Sequence, residues 1–119
     1  MNREKDMDKI MDDAINQLFY KIADDYARWR KLGDYSKPGD AAEMFNQLSV
    51  EEGRKYLKIV RTDNQATVWG FIQKDDDGKF RGGDIIKAAS WASPARNKPR
   101  GNVLDDDFSW VRWTGPEYL

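Results

Sequence analysis

Residues 54–73 read Arg54-Lys-Tyr-Leu-Lys-Ile-Val-Arg-Thr-Asp-Asn-Gln-Ala-Thr-Val-Trp-Gly-Phe-Ile-Gln73. Here the chain changes its period. Tyr56, Lys58 and Val60 alternate with Leu57, Ile59 and Arg61, the two-residue rhythm of a strand. Thr62 to Gln65 is a polar turn. Ala66 to Gln73 is rich in β-branched and aromatic residues and reads as a second strand. The two predict an antiparallel hairpin.

Upstream the rhythm is helical. Met11, Ile15, Leu18, Ile22, Tyr26 and Trp29 follow at spacings of 4, 3, 4, 4 and 3, which keeps them on one face of a helix from about Glu4 to Lys31. Ile10, Ala14, Phe19 and Ala23 widen the stripe. Arg28, Arg30 and Lys31 suit the negative end of the dipole, and Gly33 is the expected stop. Such a stripe packs on its own domain or serves as a dimer seam. Asp40 is placed to cap a short helix over about Ala41 to Leu48. Ser49 and Glu52 fit a capping box, which predicts a further helical start closed by Gly53.

Downstream, Asp77-Gly78 signals a turn, followed by a short strand at Lys79 to Arg81. Asp84 to Trp91 is read as a strand, with a helical turn as the alternative. Ser93 to Asn102 is a loop, and Phe108 to Thr114 is a last strand closed by Gly115-Pro116. The expected fold is α+β: a long amphipathic helix and a short helix packed on an antiparallel sheet or small barrel of four to five strands. All of it lies in a single domain, with a helical half (1–53) and a β-rich half (54–119).

The 119 residues include no His and no Cys. That removes disulfides, thiolate zinc sites and the usual Ser–His and Cys–His nucleophilic pairs. The expectation is a non-enzymatic protein with no catalytic residues, no cofactor and no metal. Asp75, Asp77, Gly78 and Asp84 fall near calcium-loop positions, but Gln73 stands at the first, so an acidic turn is the better reading. No apolar run approaches the roughly 20 residues of a membrane span, and residues 1–9 lack an export signal's apolar core. The expected location is cytoplasmic. Net charge is −1. Residues 1–53 carry eight Lys/Arg against twelve Asp/Glu, and residues 54–119 twelve against nine. Attraction to a polyanion is therefore expected in the second half.

Two groups of residues suggest contacts. In the first, Arg96, Lys98 and Arg100 occupy every second position of a proline-bearing loop flanked by Trp91. If the loop is extended, the three point one way. Trp110 and Arg112 share one face of the predicted last strand. Together Trp91, Arg96, Lys98, Arg100, Trp110 and Arg112 make a candidate protein-binding set.

The second group is Val68-Trp-Gly-Phe-Ile72 with Asp75-Asp-Asp-Gly-Lys79 and Phe80. It resembles the first RNA-binding motif of cold-shock domains, whose two aromatics stack on bases from one strand face. The resemblance implies Trp69 and Phe71 as a stacking pair, with Lys58 and Lys74 near phosphates, in a protein that binds single-stranded nucleic acid. Burial of the same rings beneath the helical half is the alternative.

Finally, Lys55-Tyr-Leu-Lys-Ile-Val60, Gly82-Gly-Asp-Ile-Ile-Lys-Ala-Ala-Ser-Trp91, Arg100-Gly-Asn-Val103 and Arg112-Trp-Thr-Gly115 resemble a family of small bacteriophage proteins of unknown function. That resemblance implies an accessory protein in the host cytoplasm that docks on a host or phage macromolecule. A protein partner is placed ahead of nucleic acid.

Overall fold

The computed structural model describes residues 3–105 and 107–117, with side chains from Lys9 on. Helix α1 spans Arg3–Leu32 and α2 spans Asp40–Gln47. Five strands follow as an antiparallel meander in chain order: β1 (Leu48–Glu52), β2 (Tyr56–Thr62), β3 (Ala66–Gln73), β4 (Asp84–Ile86) and β5 (Gly101–Asn102). A separate two-stranded ribbon pairs β6 (Val111–Arg112) with β7 (Gly115–Pro116). The protein is α+β.

The middle of the α1 stripe does the packing. Ile15, Leu18, Phe19, Ile22 and Ala23 are buried against Leu57, Ile59, Ile72 and Ile85 of the sheet, with Met44 of α2. Each of these positions removes apolar area from water on one face of the sheet, the main favourable contribution to folding. The stripe is longer than the surface it covers. Ile10 near one end and Trp29 near the other stay exposed.

The end of α1 differs from the glycine stop. Asp34, not Gly33, takes the left-handed conformation, at φ 63°. The Tyr35 N–H donates to Arg30 O at 2.8 Å, and Arg30 Nη2 donates to Tyr35 O at 2.7 Å. Asp40 is the first residue of α2, not its cap. Its Oδ2 accepts the Lys37 N–H at 2.7 Å and lies 3.2 Å from Arg30 Nε, close enough for an ion pair but off hydrogen-bond alignment. The buried carboxylate thus ties the loop between the helices to α1.

The capping-box reading of Ser49 to Glu52 is overturned. These residues form β1, in register from Leu48↔Arg61 to Glu52↔Leu57. Pairing with β2 bonds the backbone of alternate residues and leaves the others open at the sheet margin, whereas one isolated helical turn leaves most of its groups orphaned. The short strand expected at Lys79 to Arg81 does not form. Asp77 Oδ1 accepts the Phe80 N–H at 2.8 Å and the Lys79 N–H at 3.0 Å, closing a turn that carries Phe80 inward. The strand expected over Asp84 to Trp91 stops at Ile86, and the segment expected as loop ends in β5.

A β-bulge sets which side chains share a face. Register runs Lys58↔Phe71 and Ile59↔Gly70, then skips to Val60↔Val68, leaving Trp69 without a partner. The extra residue shifts the alternation by one. Trp69 therefore joins the helix-side core, while Phe71 packs on the opposite face with Phe80 and Ile86. Gly70 leaves room for β7 to cross closely: an added Cβ would meet Pro116 Cγ and Ile86 O at 3.3 Å, a tight contact that the neighbours would have to yield to.

The single strand expected over Phe108 to Thr114 is a turn followed by the ribbon. That change takes Trp110 off the exposed face expected for it. Trp110 points inward, 7% exposed, its Nε1 donating to Asp107 O at 2.8 Å. Its indole lies over Gly101, where a Cβ would come within 2.2 Å of Nε1.

Candidate functional site

The loop basics do not form a one-sided comb. Arg96 turns inward over the second face of the sheet. Its guanidinium donates to Asp77 Oδ2 at 2.7 Å and to the Tyr56 hydroxyl, and its Cζ sits 4.5 Å from the Phe80 ring centroid. The Phe80 N–H and then Arg96 hold the Asp77 carboxyl at about 2, below its ordinary 3.8. Arg100 donates to Glu117 O at 3.2 Å and Lys98 O at 2.8 Å, so it braces the backbone. Lys98 and Trp91 are exposed, and Lys58 Nζ lies 4.1 Å from the Trp91 centroid. Arg112 is exposed and paired with Glu117 at 2.8 Å. Trp91, Lys98 and Arg112 remain at the surface of this set, while Trp110 belongs to the core.

The expected base-stacking pair is corrected on two counts. Trp69 and Phe71 are 4% and 3% exposed, and the bulge sends them to opposite faces. Trp69 Nε1 is also committed, donating to Arg112 O at 2.8 Å. Neither ring offers a face to a base in this fold. Of the two lysines placed near phosphates, Lys58 pairs with Glu51 at 3.5 Å and Lys74 with Glu52 at 3.3 Å. The acidic turn serves the backbone as well, Asp76 Oδ1 accepting the Gly82 N–H at 2.6 Å. Among the described residues, no group of three or more acidic side chains is placed to hold a metal ion.

A different cluster assembles where the end of α1 meets the ribbon. The Trp29 and Trp113 ring centroids are 4.8 Å apart, and Tyr26 lies 5.3 Å from Trp113 and 6.2 Å from Trp29. Arg61 on β2 inserts its guanidinium 5.6 Å from the Tyr26 centroid and 5.5 Å from that of Trp113. Arg30 approaches Tyr26 at 5.8 Å.

The cluster is fixed by its neighbours. Asp25 Oδ2 accepts the Trp113 N–H at 2.8 Å and pins the ribbon to the helix. Arg61 Nε donates to Gln47 Oε1 at 2.9 Å. Trp29 nevertheless remains 49% exposed, and Leu32 and Tyr35 extend the apolar surface beyond it. In the sequence Tyr26 and Trp29 belong to the helical stripe, and nothing there places Trp113 beside them. The signal available was the length of the stripe: Met11 to Trp29 spans about 27 Å at 1.5 Å per helical residue, beyond the roughly 17–20 Å of an ordinary strand.

The arrangement defines a small α+β protein with two helices over one sheet face and an exposed aromatic–arginine cluster at the rim. The chain belongs to a family of unknown function, DUF7717, whose model matches residues 1–118. No curated protein and no solved structure matches it. No helix among the described residues is long and apolar enough to cross a membrane.

Proposed function

We propose that this is a non-enzymatic binding protein that docks on a protein partner through Trp29, Trp113, Tyr26 and Arg61. The observation that carries the reading is Trp29: a tryptophan left half exposed while its neighbours hold it in one orientation. Trp, Tyr and Arg are the residues that dominate binding energies at protein interfaces. Aromatics already held in place lose little side-chain entropy on binding. The sequence resemblance to small bacteriophage proteins extends the proposal: a phage-type accessory protein acting on a host or phage protein in the host cytoplasm. Exposed Trp91, Lys98 and Arg112 are then secondary contacts.

The test is retention of host and phage proteins by the immobilised full chain, with the retained protein identified and its affinity measured. Trp29→Ala should weaken that affinity by about 30-fold or more, a loss of at least about 2 kcal/mol. Trp91→Ala should change it far less. The reverse order would move the site to the loop. Tryptophan quenching by a single-stranded oligonucleotide that also displaces the retained protein would instead favour nucleic acid, at the same patch.

A further inference from the structure

β1 lies at one margin of the sheet and, among the described residues, pairs only with β2. The Gly53 N–H donates to Tyr56 O at 2.9 Å across the connecting turn, which sets the phase of the ladder. Bonded pairs alternate with non-bonded ones, so Glu51↔Lys58 and Ser49↔Val60 exchange hydrogen bonds. Val50↔Ile59 and Glu52↔Leu57 do not. The N–H and C=O of Val50 and Glu52 therefore point away from β2, toward the open margin. Their side chains share the face of Ile59 and Leu57, beneath α1.

On that face a groove of about 600 Å³ runs between helix and sheet, with Met11, Ile15, Val50 and Leu57 as its apolar lining. A second hollow of about 580 Å³ shares Met11, Lys74 and Asp75 with it and reaches Leu104. The two carry five carboxylates against Lys74 and Arg81. Both bases are already paired, with Glu52 at 3.3 Å and with Asp105 at 2.7 Å. Among the described residues lining the first groove, Asp12 and Asp75 are left without a base, so the groove at the Glu52 end of β1 is acidic.

We propose that β1 accepts an added strand from a partner protein: an extended segment with one apolar residue flanked two positions away on each side by Lys or Arg. The main chain of the segment bonds to Val50 and Glu52, the geometry of strand addition. Its apolar side chain enters the groove beside Val50. Its bases, on the same face by the two-residue period, meet the groove's carboxylates. A second copy of this chain fits poorly, because β1 would bring a second set of the same acidic residues to the margin. This site is separate from the aromatic cluster and does not depend on it.

The experiment titrates the full chain with the capped heptapeptide Thr-Lys-Thr-Val-Thr-Lys-Thr at millimolar concentration, following backbone amide shifts and amide exchange. Shifts centred on Val50 and Glu52, with slowed exchange of those two amides, are expected. Binding should weaken with added salt. The same peptide with Glu for both Lys should not bind. Val50→Pro removes an N–H that β2 does not use, so the fold should persist while affinity falls roughly fivefold to tenfold. If that variant fails to fold, Val50→Lys keeps the N–H, places a base at the groove, and should weaken binding as well. No shift at β1, shifts confined to other surfaces, equal binding of the Glu peptide, or unchanged affinity in the folded variant would each overturn the proposal. Dimerisation through β1 without peptide would overturn it too.

Discussion

Replacing Trp69 by alanine separates a core tryptophan from a surface stacking platform. The ring is 4% exposed. An aromatic of this size buries about 150–250 Å², which at about 25 cal/mol per Å² is worth about 4–6 kcal/mol. Measured Trp→Ala losses in cores run at about 3–5 kcal/mol. The substitution also removes the Nε1–H donated to Arg112 O, leaving a carbonyl short of a partner at a cost of about 1 kcal/mol. About 5 kcal/mol is the expected loss. A domain of 119 residues has a total stability of about 6–18 kcal/mol at the usual value per residue, so much of it would go. With an m-value of about 2 kcal/mol per molar, the urea midpoint should fall by about 2.5 M, read by far-ultraviolet circular dichroism. A variant unfolded without urea is the limiting case of the same result. Leu32→Ala, at an 82% exposed position, should change stability by less than about 0.5 kcal/mol in the same assay. A fall of under about 0.5 M for Trp69→Ala would refute the placement of the ring and revive the base-stacking reading.

Gly101→Ala should destabilise by about 1–3 kcal/mol, because the new methyl group meets the Trp110 indole and one of them must move. A neutral result in chemical denaturation would mean that Trp110 does not lie over this backbone. Asp34→Gly should stabilise by up to about 1 kcal/mol, since the position is left-handed at φ 63° and glycine takes that conformation without strain; a lower melting temperature would contradict it. Asp77 gives a pH signature. Its carboxyl is held at about 2 against an ordinary 3.8, so its contribution is complete above 3.8 and is lost as pH falls toward 2. The stability gap between wild type and Asp77→Asn should therefore narrow on acidification through that window, and a constant gap would show that the Phe80 N–H and Arg96 do not hold the carboxylate.

The division into a helical half and a strand half was legible because the apolar period changes from 3.6 to 2 near Arg54, and no tertiary contact is needed to see that. The β2–β3 hairpin was legible for the same reason. β1 was not, since Ser49 and Glu52 carry a local capping pattern that pairing with Leu57 to Arg61 overrides. Arg96 looked free because its partners Asp77 and Tyr56 lie 19 and 40 residues away. Trp110 was placed on an exposed face because alternation was applied across a segment that is turn and ribbon, where the two-residue rule does not run. The candidate patch needed α1, β2 and the ribbon together, and no linear pattern joins Trp29 to Trp113.

The unpaired position at Trp69 has one more consequence. Alternation along a strand is a wave of period two, and an extra residue is a half-period phase slip in it. On either side of the slip the pattern is regular, so a reader who counts through it finds Trp69 and Phe71 in phase. In the folded chain they are in antiphase, one ring on each side of the sheet. A chain with the same aromatic–Gly–aromatic spelling and no slip would carry both rings on one surface. The two proteins would be nearly identical in sequence and opposite in what that strand presents to water.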